Sequence, residues 1–321
     1  MPVSPETEKI RIGVSSCLLG DPVRWNGDHK RDRYLTEVLA TFFEWVPTCP
    51  EVDAGMGTPR ETVQLHGTPE SPRMVGTKTG TDWTAAMRRL SKMRSHELAR
   101  MDLCGYIFKS KSPSCGLSRI KVYTNTATVH HNGRGLFAEA FVNTCSRLPV
   151  EEEGRLHDPK IRENFIVRVF AYHRLQNLLG ERFSRGALVK FHTEHKFLLL
   201  AHSRKHYNAL GKLVAEAKQH SPAELKSRYA DTFMDALAVK STIKKNVDVL
   251  QHMLGFFKKE LSAEEKGDIL ETIEDYRQGL VPLVVPVTLV RHHVRTHKIE
   301  YLENQVYLNP HPKELMIRNH I

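Results

Sequence analysis

Apolar residues occupy every second position of KIRIGVSS (9–16), the alternation of a half-buried strand. DRYLTEVLATFFEW (32–45) predicts a helix running into a second strand. TDWTAAMRRLSKMRSHELARM (81–101) predicts a long helix opened by Thr81 or Asp82 as its cap. CGYIFK (104–109) reads as a buried strand and GRGLFAEAFVNT (133–144) as another helix. Strands alternating with helices argue for a parallel sheet, so residues 1–150 are expected to form a Rossmann-like α/β domain.

PVEEEGRLHDP (149–159) is polar, contains Gly and Pro, and reads as a domain boundary. Beyond it the pattern turns helical almost without a break. IRENFIVRVFAYHRLQNLL (161–179) carries apolar residues at helical spacing, and 187–219 does the same over about nine turns. Ser221-Pro222-Ala223-Glu224 and Ser262-Ala263-Glu264-Glu265 are capping-box starts, the first with proline at the opening helical position. Residues 151–321 are therefore expected to be an all-α domain, with a loosely packed tail, NPHPKELMIRNHI.

A length of 321 residues fits two domains, and 40% hydrophobic content supplies two cores. No apolar run reaches the ~20 residues of a membrane span, since Pro282 and Pro286 interrupt LVPLVVPVTLV. MPVSPETEKI lacks the cationic start and apolar core of a signal peptide. A soluble, cytoplasmic protein is the expectation, with no membrane partner.

The net charge of +10 points to a polyanionic partner. Residues 1–150 hold 20 Lys+Arg against 15 Asp+Glu, and 155–321 hold 27 against 19. The second half also carries 13 of the 18 histidines.

Chemistry concentrates in three cysteines, Cys17 in SSCLLGD, Cys49 in PTCPEVDAGMGTPRE and Cys115 in KSKSPSCGLS. Each follows a strand-like run. If those runs are parallel strands of one sheet, the thiols meet at its carboxyl edge, where open α/β sheets bind ligands. Three thiolates without a fourth suggest a soft metal centre with an open position. Cys104 opens a strand whose far end leads to Cys115, roughly 15–20 Å away, and reads as a buried hydrophobe. Cys145 reads as packing. An odd cysteine count in a long chain argues against a disulfide framework.

SSCLLG, CPE followed by a Gly-rich stretch and TPRE, and KSPSCG resemble the signature segments of the bacterial thiouracil desulfidases. The helical half resembles the domain often fused to them in tRNA 4-thiouridine desulfidases. The resemblance covers about residues 9–148 in the first case, and implies that Cys17, Cys49 and Cys115 hold a 4Fe–4S cluster with one iron free of protein ligands. It further implies non-redox loss of sulfur from a thiolated uracil, with thiolated tRNA as partner. Asn26 departs from the family by standing where an acidic residue is expected.

A carboxylate is then needed to activate water. Glu51, two residues beyond Cys49, is the first candidate and Asp28 the second, with Ser112 hydrogen-bonding the base or the water. Lys109, Lys111 and Arg60 are candidates to steady negative charge or a phosphate. In the helical half, His192/His195, His202/His206 and His293/His297 have helical spacing, but no acidic third metal ligand follows a recognised pattern. With Lys190, Lys196 and the run Arg291–Lys298, they read instead as a phosphate-tracking surface, with Phe191, Tyr207 and Tyr301 for base stacking. Arg291, Arg295 and Lys298 are its candidate contacts. The alternatives are a desulfidase of free thiouracil or thiouridine, and a non-enzymatic iron–sulfur RNA-binding redox sensor. Sulfur insertion into tRNA lacks a visible ATP-binding loop.

Overall fold

A computed structural model describes residues 9–124, 128–180, 183–257 and 260–320. The chain divides into two compact units, one ending at Asp158 and the other beginning at Pro159. Among the described residues no helix is long and apolar enough to cross a membrane.

The first unit runs β1 (Ile10–Ser15), β2 (Phe43–Thr48), α1 (Pro50–Asp53), β3 (Val63–His66), β4 (Arg73–Gly76) and α2 (Thr84–Leu98). It continues through β5 (Gly105–Phe108), β6 (Ile120–Tyr123), β7 (Val129–Gly133), α3 (Leu136–Thr144) and β8 (Val150–Glu152). One sheet has the order β2-β1-β5-β8 with every pairing parallel, from Ile10↔Phe43 to Ser15↔Thr48 across β1 and β2. Ile12, Val14 and all of β5 are buried, which is why these strands lie at the sheet's centre. Tyr106, Phe108, Phe137 and Phe141 pack as an aromatic cluster with ring centroids 4.2–6.0 Å apart, fastening α3 to β5.

A second sheet, β4-β3-β6-β7, is mixed, with β3 parallel to β6 and antiparallel to β4. The sequence pattern does not reveal it, because strands of four or five residues are too short to display an alternation. The predicted helix over 32–45 is also corrected. Tyr34–Val38 is a widened π-turn and Leu39–Thr41 a tight 3₁₀ turn before β2. Leu35, Leu39 and Phe43 are the buried positions. Leu35 lies in the widened turn, Leu39 in the tight one, and Phe43 opens β2. The cap of α2 is Trp83, which makes no side-chain cap bond, and not Thr81 or Asp82; Asp82 stands one residue earlier, its Oδ1 accepting from the Thr84 N–H at 2.9 Å.

The second unit is helical: α4 (Pro159–Leu179), α5 (Arg185–Glu194), α6 (Lys196–His202), α7 (Arg204–Ala215) and α8 (Pro222–Ala238). α9 (Ile243–Leu254), α10 (Ala263–Gln278), α11 (Val284–Thr296) and α12 (Glu300–Glu303) complete it. The nine-turn helix expected over 187–219 is three helices. Ser203 is extended and its hydroxyl accepts from the His206 N–H, starting a new helix after the wholly buried run Phe197–Ala201. Ser221 caps α8, and Ser262 with Glu265 forms a complete capping box on α10.

The tail, expected to be loose, is pinned. Arg318 is buried, donates to the Tyr307 carbonyl at 2.7 Å and pairs with Glu163 at 3.2 Å.

Candidate active site

Each key cysteine sits in the turn or loop that follows a strand of the parallel sheet, β1, β2 or β5. Cys17 lies in a single 3₁₀ turn after β1, and Cys49 precedes the Pro50 start of α1 after β2. Cys115 lies in the loop after β5. All three line one cavity of about 710 Å³, with Glu51, Arg60, Lys109, Lys111 and Ser112. Cys104, buried at the opposite end of β5, and Cys145, at the end of α3, are not among its lining residues.

The thiols are held in a poor solvent for anions. Burial, and then the nearby Cys49, pushes the Cys17 thiol up to about 12. Burial also raises Cys49 and takes Cys115 well above its ordinary value, with Glu51 and Cys49 adding to the latter. As a free set they are neutral thiols; they become thiolates together only against concentrated positive charge. The Ser16 hydroxyl on the cavity wall is buried without a hydrogen-bond partner among the described residues. Three soft donors around one space and an orphaned polar group beside them fit a cationic iron–sulfur group.

The Cys115 turn is built by Ser112, whose Oγ accepts from the Ser114 N–H at 3.2 Å and the Cys115 N–H at 3.1 Å. Gly135 presses against its back: a Cβ there would come within 2.5 Å of the Ser114 carbonyl carbon and 2.9 Å of the Cys115 nitrogen. Backbone cannot retreat as a side-chain tip can. Gly135→Ala is therefore expected to cost about 1–3 kcal/mol, read as a lower denaturant midpoint at unchanged m.

Glu51 is the second residue of α1, facing the cavity. Its Oε2 takes both Arg60 donors, Nη2 at 2.5 Å and Nε at 3.0 Å, while Ser114 Oγ donates to Oε1 at 2.7 Å. Ser112 stands at a long 3.4 Å from the same oxygen, so the close hydroxyl partner is Ser114, which sequence reasoning missed. Its only signal was a second serine beside the cysteine. Arg60 accordingly orients Glu51, and its backbone N–H holds the Trp25 carbonyl at 2.8 Å. Trp25, also missed, is an exposed aromatic on the cavity wall.

Lys109 lies on the cavity with its ammonium committed to Glu153 at 2.5 Å. Glu153 also accepts from the Ser110 N–H at 2.6 Å, and Glu152 accepts from the Leu117 N–H at 2.8 Å. The acidic stretch read as a linker thus supplies β8 and brackets both ends of the Cys115 loop. Lys111 is an exposed residue of the cavity wall with φ 58°.

Asp28 is not brought to the site. It is exposed, its Oδ1 accepts from the His29 N–H at 2.7 Å, and it is absent from the cavity wall. A turn in which Arg24 N–H bonds the Asp28 carbonyl at 3.1 Å holds it there.

In the helical unit, Arg291 and Arg295, one turn apart on α11, line a cavity of about 390 Å³ with Asn309 and Lys313. Arg291 donates to Asn309 Oδ1 at 2.9 Å. Lys298 is exposed beyond the helix end and does not line that cavity. Most of the paired histidines do not face solvent. His192, His195 and His202 are buried, and burial drives them down to about 4, 3 and 4. Phe191 is core, stacked on His195 at 3.8 Å. Tyr301 stacks on Phe256 at 4.9 Å and Tyr207 on His192 at 5.5 Å, both rings remaining partly exposed.

The family model described as 2-thiouracil desulfurase matches residues 12–153. A second model, described as a protein of unknown function (DUF1722), matches 196–312. "Uncharacterized protein YbgA" of Escherichia coli (strain K12) is 27% identical over 158 residues, 49% of this chain and 94% of that relative. "Uncharacterized protein YbbK" of Bacillus subtilis (strain 168) is 31% identical over 110 residues, 33% of this chain and 72% of that relative. Among solved structures, the 4Fe–4S-dependent thiouracil desulfidase TudS is 29% identical, covering 47% of this chain and 95% of that one, with a TM-score of 0.36.

Proposed function

This chain belongs, through residues 12–153, to the 2-thiouracil desulfurase family, and from that premise we propose that it removes sulfur from 4-thiouridine in tRNA by iron–sulfur-dependent hydrolysis. The observation that carries the reading is the meeting of Cys17, Cys49 and Cys115 around one cavity that Glu51 also faces. These three would hold a 4Fe–4S cluster, which would supply Lewis acidity toward a thiocarbonyl sulfur. No net redox change is needed.

Glu51 takes the two protons of the adding water in turn, one as water adds and one as the carbonyl forms, and passes each to the departing sulfur. A C–O bond forms, the C–S bond breaks, and water plus thiouracil yields uracil plus hydrogen sulfide. Arg60 on Oε2 and Ser114 on Oε1 fix the carboxylate at the cavity wall, from which it would act. Trp25 offers a ring face to a flat pyrimidine.

The choice of tRNA over a free base rests on charge. The excess of 27 Lys+Arg over 19 Asp+Glu in residues 155–321 would supply counterion-releasing contacts to phosphates, with Arg291 and Arg295, which share a cavity with Lys313, as candidate contacts. Reconstituted protein incubated anaerobically with thiolated tRNA is expected to release sulfide. Replacing Arg291, Arg295 and Lys298 with Ala should lower tRNA affinity and flatten its salt dependence, while turnover of free 4-thiouridine persists. Equal tRNA affinity in a folded triple variant would move the RNA surface elsewhere. Turnover of the free nucleoside alone would favour the free-base reading.

A further inference from the structure

His293 and His297 lie one turn apart at the end of α11, their rings stacked at 5.7 Å. Neither has a neighbouring acidic residue at a recognisable sequence spacing, but the fold supplies one from 28 residues upstream. Glu265, at the start of α10, places Oε1 at 3.8 Å from His293 Nδ1 and 3.6 Å from His297 Nε2. Its other oxygen is occupied, accepting from the Ser262 N–H at 2.8 Å in the capping box.

We propose that Glu265, His293 and His297 form a binding site for a divalent transition-metal ion, zinc foremost, which ties the start of α10 to the end of α11. One ligand atom from each residue falls within a 4.8 Å sphere of mutual distances. Ligands of tetrahedral zinc, about 2.0–2.1 Å from the metal, stand roughly 3.3–3.5 Å apart, so small side-chain rotations close the set. His293 Nδ1 and His297 Nε2 are both buried and have no hydrogen-bond partner among the described residues, although a buried ring nitrogen ordinarily has one. Both aim at the same carboxylate oxygen at distances too long for a hydrogen bond. A cation between them satisfies all three atoms at once.

The surroundings favour metal over a simple ion pair. Two histidines and one carboxylate suit zinc, and leave a fourth position for water or a phosphate oxygen. The site lies on the helix that carries Arg291 and Arg295, so its role is to fix that helix end.

The test uses the full-length, cluster-reconstituted protein, with cobalt(II) as a spectroscopic probe. Wild type is expected to bind one equivalent with visible d–d bands, no sulfur-to-cobalt band in the near ultraviolet, displacement by zinc and a raised Tm. Glu265→Gln keeps the capping box, since glutamine serves there too, and should weaken binding on the order of 100-fold. His297→Gln should do the same, each variant matching metal-free wild type in circular dichroism. Unchanged cobalt affinity in folded Glu265→Gln overturns the site, as does a cobalt spectrum carrying only thiolate bands. Neither outcome bears on sulfide release, which tests the cysteines instead.

Discussion

Cys17→Ala, Cys49→Ala and Cys115→Ala proteins are expected to emerge from anaerobic iron and sulfide reconstitution colourless, without bound iron, and with no thiouracil turnover. The reason lies in the turns after β1, β2 and β5, which deliver these thiols to one cavity from three separate strands. No other described cysteine lines that cavity, so a lost donor has no nearby substitute. Cys104→Ala should reconstitute with full colour, because that thiol is packed at the far end of β5. Its cost is a small cavity, on the order of 1 kcal/mol. Absorbance and iron content per chain are the readouts. Loss of colour in Cys104→Ala with colour kept in Cys17→Ala would overturn the ligand assignment.

Glu51→Gln should load its cluster normally yet turn over roughly 10²-fold or more slowly, the usual worth of a positioned proton-transfer group. Glutamine is nearly isosteric and its carbonyl oxygen can still accept from Ser114 or Arg60, so the change removes the proton acceptor more than the fold. Thermal melting of the loaded variant separates the two effects. Full activity with a normal cluster would remove Glu51 from the chemistry and leave proton transfer to solvent. Asp28 is a poor heir, since it is exposed and off the cavity wall. Ser114→Ala is the informative companion: it frees Glu51 Oε1 from its 2.7 Å donor and should give a smaller loss.

The local pattern of the chain by itself determined the α/β first half, the helical second half, the caps at Ser221 and Ser262, and the delivery of three thiols to one sheet edge. These follow from short-range rules. A strand with period two, followed by a turn rich in Gly and Pro, fixes which end of a parallel strand a cysteine occupies. The departures arose where partners far apart in sequence decide. Four-residue strands such as β3 and β6 are stable only through each other, so neither stands out alone. Residues 34–41 form a π-turn and then a 3₁₀ turn although Leu35 and Leu39 keep helical spacing, so periodicity alone could not tell these from an α-helix. The acidic run 151–153 looks like solvent-loving linker, yet Glu152 and Glu153 are buried because the Leu117 and Ser110 amides and the Lys109 ammonium meet them across more than thirty residues.

Histidine is the sharpest case. Helical spacing places two rings on one face but says nothing about what covers that face. Only the packing of the second unit brings a carboxylate, that of Glu265, to His293 and His297. Spacing is a one-dimensional property, whereas desolvation and a third ligand are supplied by the neighbouring helix.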